Sequence, residues 1–371
     1  MEQSDAYRTL LIGWNTDPDL PRGAACRIGS FPERVVDPSE GAEELKGFDP
    51  KLRALLQEGA DRARAIGAAE EARVLRLGGR IVTRRDSDYP KALFDLALPP
   101  PVLSLVGRLP SGEPKVAIVG SRRPSAYGLE VAQWFARELA EAGVPVVSGF
   151  AVGIDAAAHW AALESNGAST VAVLGCGLDV DYPRAHRQLR REICRRGVLI
   201  TEFPCGARPE PWRFPVRNRL IAALAQAVIV VEAAPRSGSL VTARFALELG
   251  REVFAVPGRL TDELALGPNS LLEEGAHPAL SPGRVLESLG LSHSERGRLE
   301  PEEKPGEDGI RTKLLSLLRE RGPLSLEGLA SELGASTGTL SSLLLELELE
   351  ERVRHLPGGL FALPQKLGFA R

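Results

Sequence analysis

The sequence predicts an α/β protein: a mostly parallel sheet flanked by helices, with a small helical domain before it and a small mixed domain after it. Three observations predict the sheet. From Lys115 onward, short β-branched runs alternate with Ala- and Leu-rich stretches of helical length. Several of these runs are continuously apolar, as in Val228-Ile229-Val230-Val231, the pattern of a strand covered on both faces. Gly-rich bends recur where the runs end and the helical stretches begin.

Taken in order, residues 1–75 read as a small helical domain whose better runs are Lys51–Gly59 and Asp61–Leu77, the latter rich in Ala, Arg and Glu. Residues 76–110 read as a connecting subdomain. It holds a strand at Arg80–Thr83, a helical stretch around Pro90–Leu98, a stop at Pro99-Pro100-Pro101 and a strand at Val102–Val106. The sheet domain occupies residues 111–285. Its expected strands are Val116–Val119, Pro145–Val147, Thr170–Leu174, Val198–Thr201, Ala227–Val231 and Glu252–Val256. The stretches Gly128–Ala142, Asp155–Ser165, Ala185–Arg195, Val216–Ala225 and Ser239–Leu249 are long enough for crossover helices. Residues 286–308 read as a linker, with composition of that kind beginning at Ser281 and a run of Pro and charge from Glu300 to Asp308. Residues 309–371 show helical patterns at Ile310–Arg319, Ser325–Leu333 and Thr339–Leu349, then two short strands around Gly358-Gly359. Three helices and a hairpin suit a winged-helix-like domain.

Composition narrows the function classes. Of 371 residues, 43 % are hydrophobic and 26 % charged, which excludes a wholly disordered chain. No segment approaches 18 apolar residues free of charge, so no membrane insertion is expected. The start, Met-Glu-Gln-Ser-Asp, has no basic and apolar leader, and a cytoplasmic location is expected. Forty-six basic residues against 49 acidic ones give a net charge of -3. That excludes a uniformly basic coat but not a local basic groove. The cysteines, at 26, 176, 194 and 205, form no close pair or metal-ligand cluster, so neither a metal nor a cofactor is expected.

Five motifs carry the chemistry. Gly120-Ser121-Arg122-Arg123-Pro124 follows a strand and precedes a helix. Gly120 permits close approach of an anion, Ser121 offers a hydroxyl and Arg122 a forked cation; an ordinary strand-to-helix turn is the competing reading. The spacing fits neither the dinucleotide fingerprint nor a P-loop. Ser148-Gly149-Phe150-Ala151-Val152-Gly153-Ile154-Asp155 places a narrow loop at the same sheet rim. There Asp155 caps a helix or does chemistry, with His159 four residues on, and the structural role is favoured for both. Leu174 to Arg184 makes a third Gly-rich bend, in which Cys176 reads as a structural thiol. It leads to Arg184, Arg187 and Arg191 on one helical face, which either meets nucleic acid or keeps the helix soluble. Phe214-Pro215-Val216-Arg217-Asn218-Arg219 combines an aromatic, two forks and an amide suited to a phosphate backbone, with internal salt bridges as the alternative. Arg236-Ser237-Gly238-Ser239-Leu240-Val241-Thr242 offers hydroxyls that cap a helix or complete an anion-binding rim.

The ordered set of these motifs strongly resembles the DprA/Smf family of DNA-processing proteins. The resemblance continues through Tyr182-Pro183, Gly250-Arg251-Glu252-Val253-Phe254-Ala255-Val256-Pro257-Gly258 and Asn269-Ser270-Leu271-Leu272-Glu273-Glu274-Gly275-Ala276, and covers roughly residues 80–280. It implies a Rossmann-like domain that binds single-stranded DNA, protects incoming strands in natural transformation and helps load the RecA recombinase. It also implies a homodimer and no enzymatic activity. By similarity Ser121, Arg122, Arg184, Arg217, Asn218 and Arg219 are the DNA contacts, and Gly120, Gly149, Gly153 and Ser237 shape or line the same groove. Leu271 and Leu272 fall in the segment that the resemblance associates with dimerisation. Three features depart from the family pattern. Thr201 stands where Ser is familiar and His186 where Asn is, and the last expected helix carries Leu343-Leu344-Leu345-Glu346-Leu347-Glu348-Leu349-Glu350, a poor major-groove reader. The main competing reading is a Rossmann-like enzyme acting on a nucleotide or phosphorylated nucleoside, with Asp155 or Glu202 as its carboxylate. A transcriptional regulator built on the C-terminal domain is the third.

Overall fold

The computed structural model describes residues 2–17, 59–110, 114–165, 169–291, 307–333, 337–350, 352–356 and 359–363. The chain divides into two compact units, Met1–Gly297 and Arg298–Arg371. The first opens with helices α1 (Glu2–Thr16) and α2 (Ala60–Arg76), packed on each other. Of the helical run expected at Lys51–Gly59, residues 51–58 lie outside the described residues.

Strands β1 (Gly79–Thr83) and β2 (Val102–Gly107) follow, with a short 3-10 turn, Lys91–Asp95, between them. They pair antiparallel, and β2 in turn pairs antiparallel with β6 (Val198–Thr201), placing Leu105 opposite Ile200. Residues 79–107 therefore extend the main sheet at one edge; strands this short carry no sequence signal of which sheet they join. The parallel part contains β3 (Val116–Val119), β4 (Val146–Ser148), β5 (Thr170–Val173), β6, β7 (Ala227–Val230), β8 (Glu252–Ala255) and β9 (His277–Pro278). Across the sheet the order is β1-β2-β6-β5-β4-β3-β7-β8-β9.

The crossover helices are α3 (Ala126–Glu141), α4 (Ile154–Glu164), α5 (Arg187–Arg196), α6 (Arg213–Leu224) and α7 (Gly238–Glu248), followed by α8 (Glu263–Glu273) and α9 (Pro282–Ser288). Strand pleating sends alternate residues to opposite faces. Val116 and Ile118 pack with Phe135 and Leu139 of α3 and Ile154 of α4. Ala117 and Val119 pack with Leu220 and Leu224 of α6 and Ala243 and Ala246 of α7. Both faces are covered, which is why these strands read as continuous apolar runs.

The structure bears on two expectations here. Leu271 is 5 % exposed and belongs to the core cluster under α6 and α7, and the neighbouring Leu272 packs partly against that cluster. The Leu271 side chain is therefore engaged by the core of its own chain, which does not favour the expected interface role. The linker-like composition from Ser281 also hides α9, whose Val285 and Leu286 are fully buried in the cluster shared with α3. Apolar spacing over seven residues is too brief to stand out beside the Pro- and Glu-rich run that follows.

The second unit contains α10 (Glu307–Arg321), α11 (Leu326–Leu333), α12 (Thr337–Leu349) and a small antiparallel sheet of β10 (Leu324–Ser325), β11 (Arg354–Leu356) and β12 (Leu360–Ala362), in the order β10-β12-β11. Leu340, Leu343, Leu344 and Leu347 of α12 close its core against Leu314, Leu318 and Leu329. This 3–4 spacing turns Leu345, Glu346 and Glu348 to solvent. The expected winged-helix-like domain is present, and its third helix shows an acidic outer face.

Candidate functional site

The order of the parallel strands fixes where a ligand can sit. The chain runs β3 to β6 in one direction across the sheet, then returns to the other side of β3 for β7 and β8. Loops after β3 and β7 therefore diverge at their carboxyl ends and leave a crevice, the usual binding position in open α/β sheets. A cleft of about 400 Å³ occupies it, lined among others by Gly120, Ser121, Arg122, Phe214, Arg217 and Ser237.

Its floor holds two buried, oppositely charged side chains. Asp155, on the first turn of α4, is 6 % exposed and accepts a hydrogen bond from the Ala151 amide at 3.2 Å. Arg217 of α6 is 4 % exposed; it donates to the Gly149 and Val173 carbonyls, and its Nε donates to Asn218 Oδ1 at 3.1 Å. Burial raises the Asp155 pKa, opposed by the Arg217 charge, and burial pushes Arg217 down to about 10 against the pull of Asp155. Gly149 lies between the two groups. A Cβ there would stand 2.7 Å from both Arg217 Nη2 and Asp155 Oδ2, so only glycine lets the loop cross the pair. Gly153 has φ +86°, and a Cβ on it would meet the Ser121 carbonyl oxygen at 2.4 Å. The Ile154 amide donates to that same oxygen at 3.1 Å, which ties the first two motif loops together.

Above this floor lies an exposed rim. The Arg122 guanidinium stands 5.0 Å from the centroid of the Phe214 ring, and that ring is 5.8 Å from Tyr182, which is half-exposed. Arg122 has no ion pair or hydrogen bond of its own among the described residues, and Arg184 and Arg236 are likewise exposed and unpaired. Ser121 Oγ accepts from the Arg123 amide at 3.0 Å. Ser237 caps α7: its Oγ accepts from the Ser239 amide at 3.3 Å and stands 2.7 Å from Ser239 Oγ. Asn218 braces this cap from below, donating to the Gly238 carbonyl at 3.0 Å.

The structure brings Gly120, Ser121, Arg122, Arg217, Asn218 and Ser237 to the cleft, with Gly149 and Gly153 shaping its loops. Arg184 stands just beyond Tyr182 and Pro183, which line the adjoining recess with Arg122 and Phe214. The two forks of the fourth motif are not free cations. Arg217 and Asn218 are buried and hold the floor, and Arg219 pairs with Glu202 and donates to the Leu98 carbonyl at 3.0 Å. Consecutive positions on a helix point 100° apart, so three adjacent polar residues cannot share one rim.

Sequence reasoning missed Glu232, which is 4 % exposed at the end of β7. It accepts from the Ser125 amide at 2.9 Å and from the Ser125 hydroxyl, while Ser125 caps α3 by accepting from Gly128 at 3.1 Å. Gly128 leaves room for it, since a Cβ would stand 2.3 Å from Glu232 Oε2. The loop carrying Arg122 is thus pinned at its far end. A lone acid after an apolar strand gives no sequence signal of that job. Two of the three family departures keep a local bond. The Thr201 hydroxyl donates to the Cys176 carbonyl at 2.9 Å, and His186 Nδ1 stands 3.3 Å from the carbonyl of Phe150, a residue at φ +58°.

The groups a catalytic reading needs are already engaged. Glu202 is half-buried against Arg219 and Asp155 is buried beside Arg217, and burial pushes the Cys176 thiol up to about 11. His159 is fully buried, bonded through Nδ1 to Thr170 Oγ1 at 2.7 Å, and held down to about 3 by burial.

Comparison with known proteins agrees with this geometry. The family model described as DNA recombination-mediator protein A matches residues 80–290, and the DprA winged helix domain matches residues 299–359. The chain is 42 % identical over 271 residues to the putative DNA processing protein DprA of Mycobacterium tuberculosis, covering 69 % of each. It is 40 % identical over 278 residues to protein Smf of Escherichia coli, covering 74 % of this chain and 72 % of that one. The DNA processing protein A structure from Streptococcus pneumoniae superposes with a TM-score of 0.58 at 34 % identity, covering 77 % of this chain and 92 % of the other. The Helicobacter pylori protein, described for its single-stranded DNA binding mode, superposes at 0.52 with 35 % identity, covering 56 % and 95 %. Motif loops, sheet order and both matched regions lead to one family: the chain belongs to the DprA/Smf family of DNA-processing proteins.

Proposed function

We infer that this protein binds single-stranded DNA and mediates loading of the RecA recombinase during natural transformation, the activity of its family, whose members are DNA-binding mediators rather than enzymes. The observation that carries the site assignment is the rim at the strand-order switch. An exposed, unpaired Arg122 lies on Phe214 next to Tyr182, facing the capped start of α7. We assign Arg122, Arg236 and Arg184 to strand phosphates, with the Ser121 and Ser237 hydroxyls and the amino end of α7 beside them. Tyr182 and Phe214 offer π-faces to bases without regard to sequence. Gly120, Gly149 and Gly153 shape the loops; Arg217 and Asn218 hold them from below, and Arg219 stands outside the contact set.

The test is a titration of unrelated single strands and their matched duplexes across salt concentrations. Tighter binding of the single strands, with a salt slope that falls by about 0.7 for Arg122→Ala, supports the assignment. Equal affinity for blunt duplex, or an unchanged slope in the folded variant, refutes it. We also propose that two copies pair. With Leu271 in the core, the assignment moves to the exposed Leu247 of α7 and Leu266 of α8. Ultracentrifugation of a Leu247→Glu, Leu266→Glu variant should show monomers, and a persistent dimer sinks that placement.

A further inference from the structure

One strongly charged feature lies outside the cleft. Between Arg184 and Arg196 the chain carries six arginines and one glutamate, a net charge of +5 in a protein whose total is -3. The rest of the chain therefore sums to -8. The arginines divide by role. Arg190 donates to the Leu178 carbonyl and Arg196 to the Ser165 carbonyl at 3.1 Å, so these two fasten α5 to its surroundings. Leu189 and Ile193 are buried and mark the inner face of the helix. Arg187, Arg191 and Arg195 recur every fourth residue directly opposite, and all three are exposed. Arg187 touches Asp181, and Arg195 pairs with Glu192 at 2.6 Å, both at the surface; Arg184 and Arg191 have no partner among the described residues.

This row is continuous with the cleft. Arg122, Phe214, Tyr182 and Pro183 line one recess, and Arg184 is the next residue, opening the short turn that leads into α5. From Arg187 to Arg195 the row extends about 12 Å. We propose that a strand leaving the cleft past Tyr182 continues along the outer face of α5, its phosphates held by Arg184, Arg187, Arg191 and Arg195. The stripe is narrow, one residue wide per turn, and fits a single line of phosphates. Surface pairs such as Arg187 with Asp181 contribute little and exchange readily for a phosphate.

This proposal rests on the cleft reading, and oligonucleotide length separates the two. A strand of roughly 6 nucleotides is confined to the cleft, and one of roughly 20 reaches the helix. In an Arg187→Ala, Arg191→Ala variant of the full chain, the long strand should bind roughly 25-fold more weakly at about 0.1 M salt, with a slope lower by about 1.4. The short strand should bind as before. Unchanged binding of the long strand means a solvated face and overturns the proposal. Equal losses on both lengths overturn it too, because the variant then acts through the rim. Where the double variant fails to fold, Arg191→Glu gives the same length comparison. Arg122→Ala should weaken both lengths; if it leaves the short strand untouched, the cleft reading fails, while the length-dependent loss on α5 is read independently.

Discussion

Arg217→Ala should unfold the first unit far more than it alters a DNA contact. The substitution removes the cation nearest the buried Asp155 carboxylate, whose pKa burial already raises. It also removes the donor to the Gly149 and Val173 carbonyls. Each buried acceptor left unmet adds about 1–3 kcal/mol, reduced where water enters the vacated space. Two such acceptors make a total of at least about 2 kcal/mol, a sizeable share of the roughly 5–15 kcal/mol available to a domain.

Denaturant unfolding followed by tryptophan fluorescence reports on the relevant unit alone. The four tryptophans, at 14, 134, 160 and 212, all fall within Met1–Gly297. The midpoint should fall with little change in slope. Adding Asp155→Asn should restore part of the loss, a coupling of about 0.5–3 kcal/mol, since the amide needs no counter-charge. Arg122→Ala is the contrast: exposed, and with no ion pair or hydrogen bond among the described residues, it should stay within about 0.5 kcal/mol of the parent while losing affinity for single strands. If Arg217→Ala unfolds at the parent midpoint yet fails to bind DNA, Arg217 is a strand contact and the floor argument is wrong.

Gly153→Ala should weaken strand binding as well as stability, because its Cβ would push on the Ser121 carbonyl that positions Arg122; parental affinity would show that the two loops move independently. Arg219→Ala should cost about 3 kcal/mol through the stranded Glu202, whose second oxygen already has no partner, while leaving the salt slope for DNA unchanged. His159 makes stability sensitive to acid. Its folded pKa of about 3 lies below the ordinary 6.5, so its contribution is complete above pH 6.5 and is lost progressively as the pH falls toward 3. Unfolding free energies of the parent and His159→Gln should therefore converge by about 1.4 kcal/mol per pH unit across that window, and a constant offset refutes it.

How far the fold could be read from sequence depended on how each element is buried. Val116–Val119 and Val198–Thr201 match their expected limits, because strands covered on both faces leave unbroken apolar runs between glycine and polar stops. The crossover helices agree to within a few residues for the same reason. The α8, β9 and α9 elements went unread. Pro268 lies inside α8, β9 is two residues long, and α9 has a single buried turn. At the site, the glycine pattern located the loops correctly: Gly153 has a positive φ and lies against the Ser121 carbonyl, and Gly149 lies against the ends of the Arg217 and Asp155 side chains. Sequence could not separate Arg122 from Arg217 and Arg219. All three are arginines in motif loops or at helix starts, and only packing decides which faces solvent and which faces a carboxylate or carbonyl.

That sorting of arginines also explains how an acidic protein presents an anion site. Arg217 and Arg219 are spent inside the fold on Asp155 and Glu202, and neither adds net charge to the surface. The exposed cations that remain at the rim, Arg122, Arg184 and Arg236, stand where Asp155, already compensated by Arg217, is the acidic side chain lining the cleft. With the stripe on α5 removed, the remainder of the chain is strongly negative. A thin strand following the rim and helix stays within a Debye length of about 10 Å of those cations. A duplex carries its second line of phosphates farther from that single row of cations. On the proposed path, selectivity for single strands follows from the narrowness of the row of cations, and added salt should erode it along with affinity.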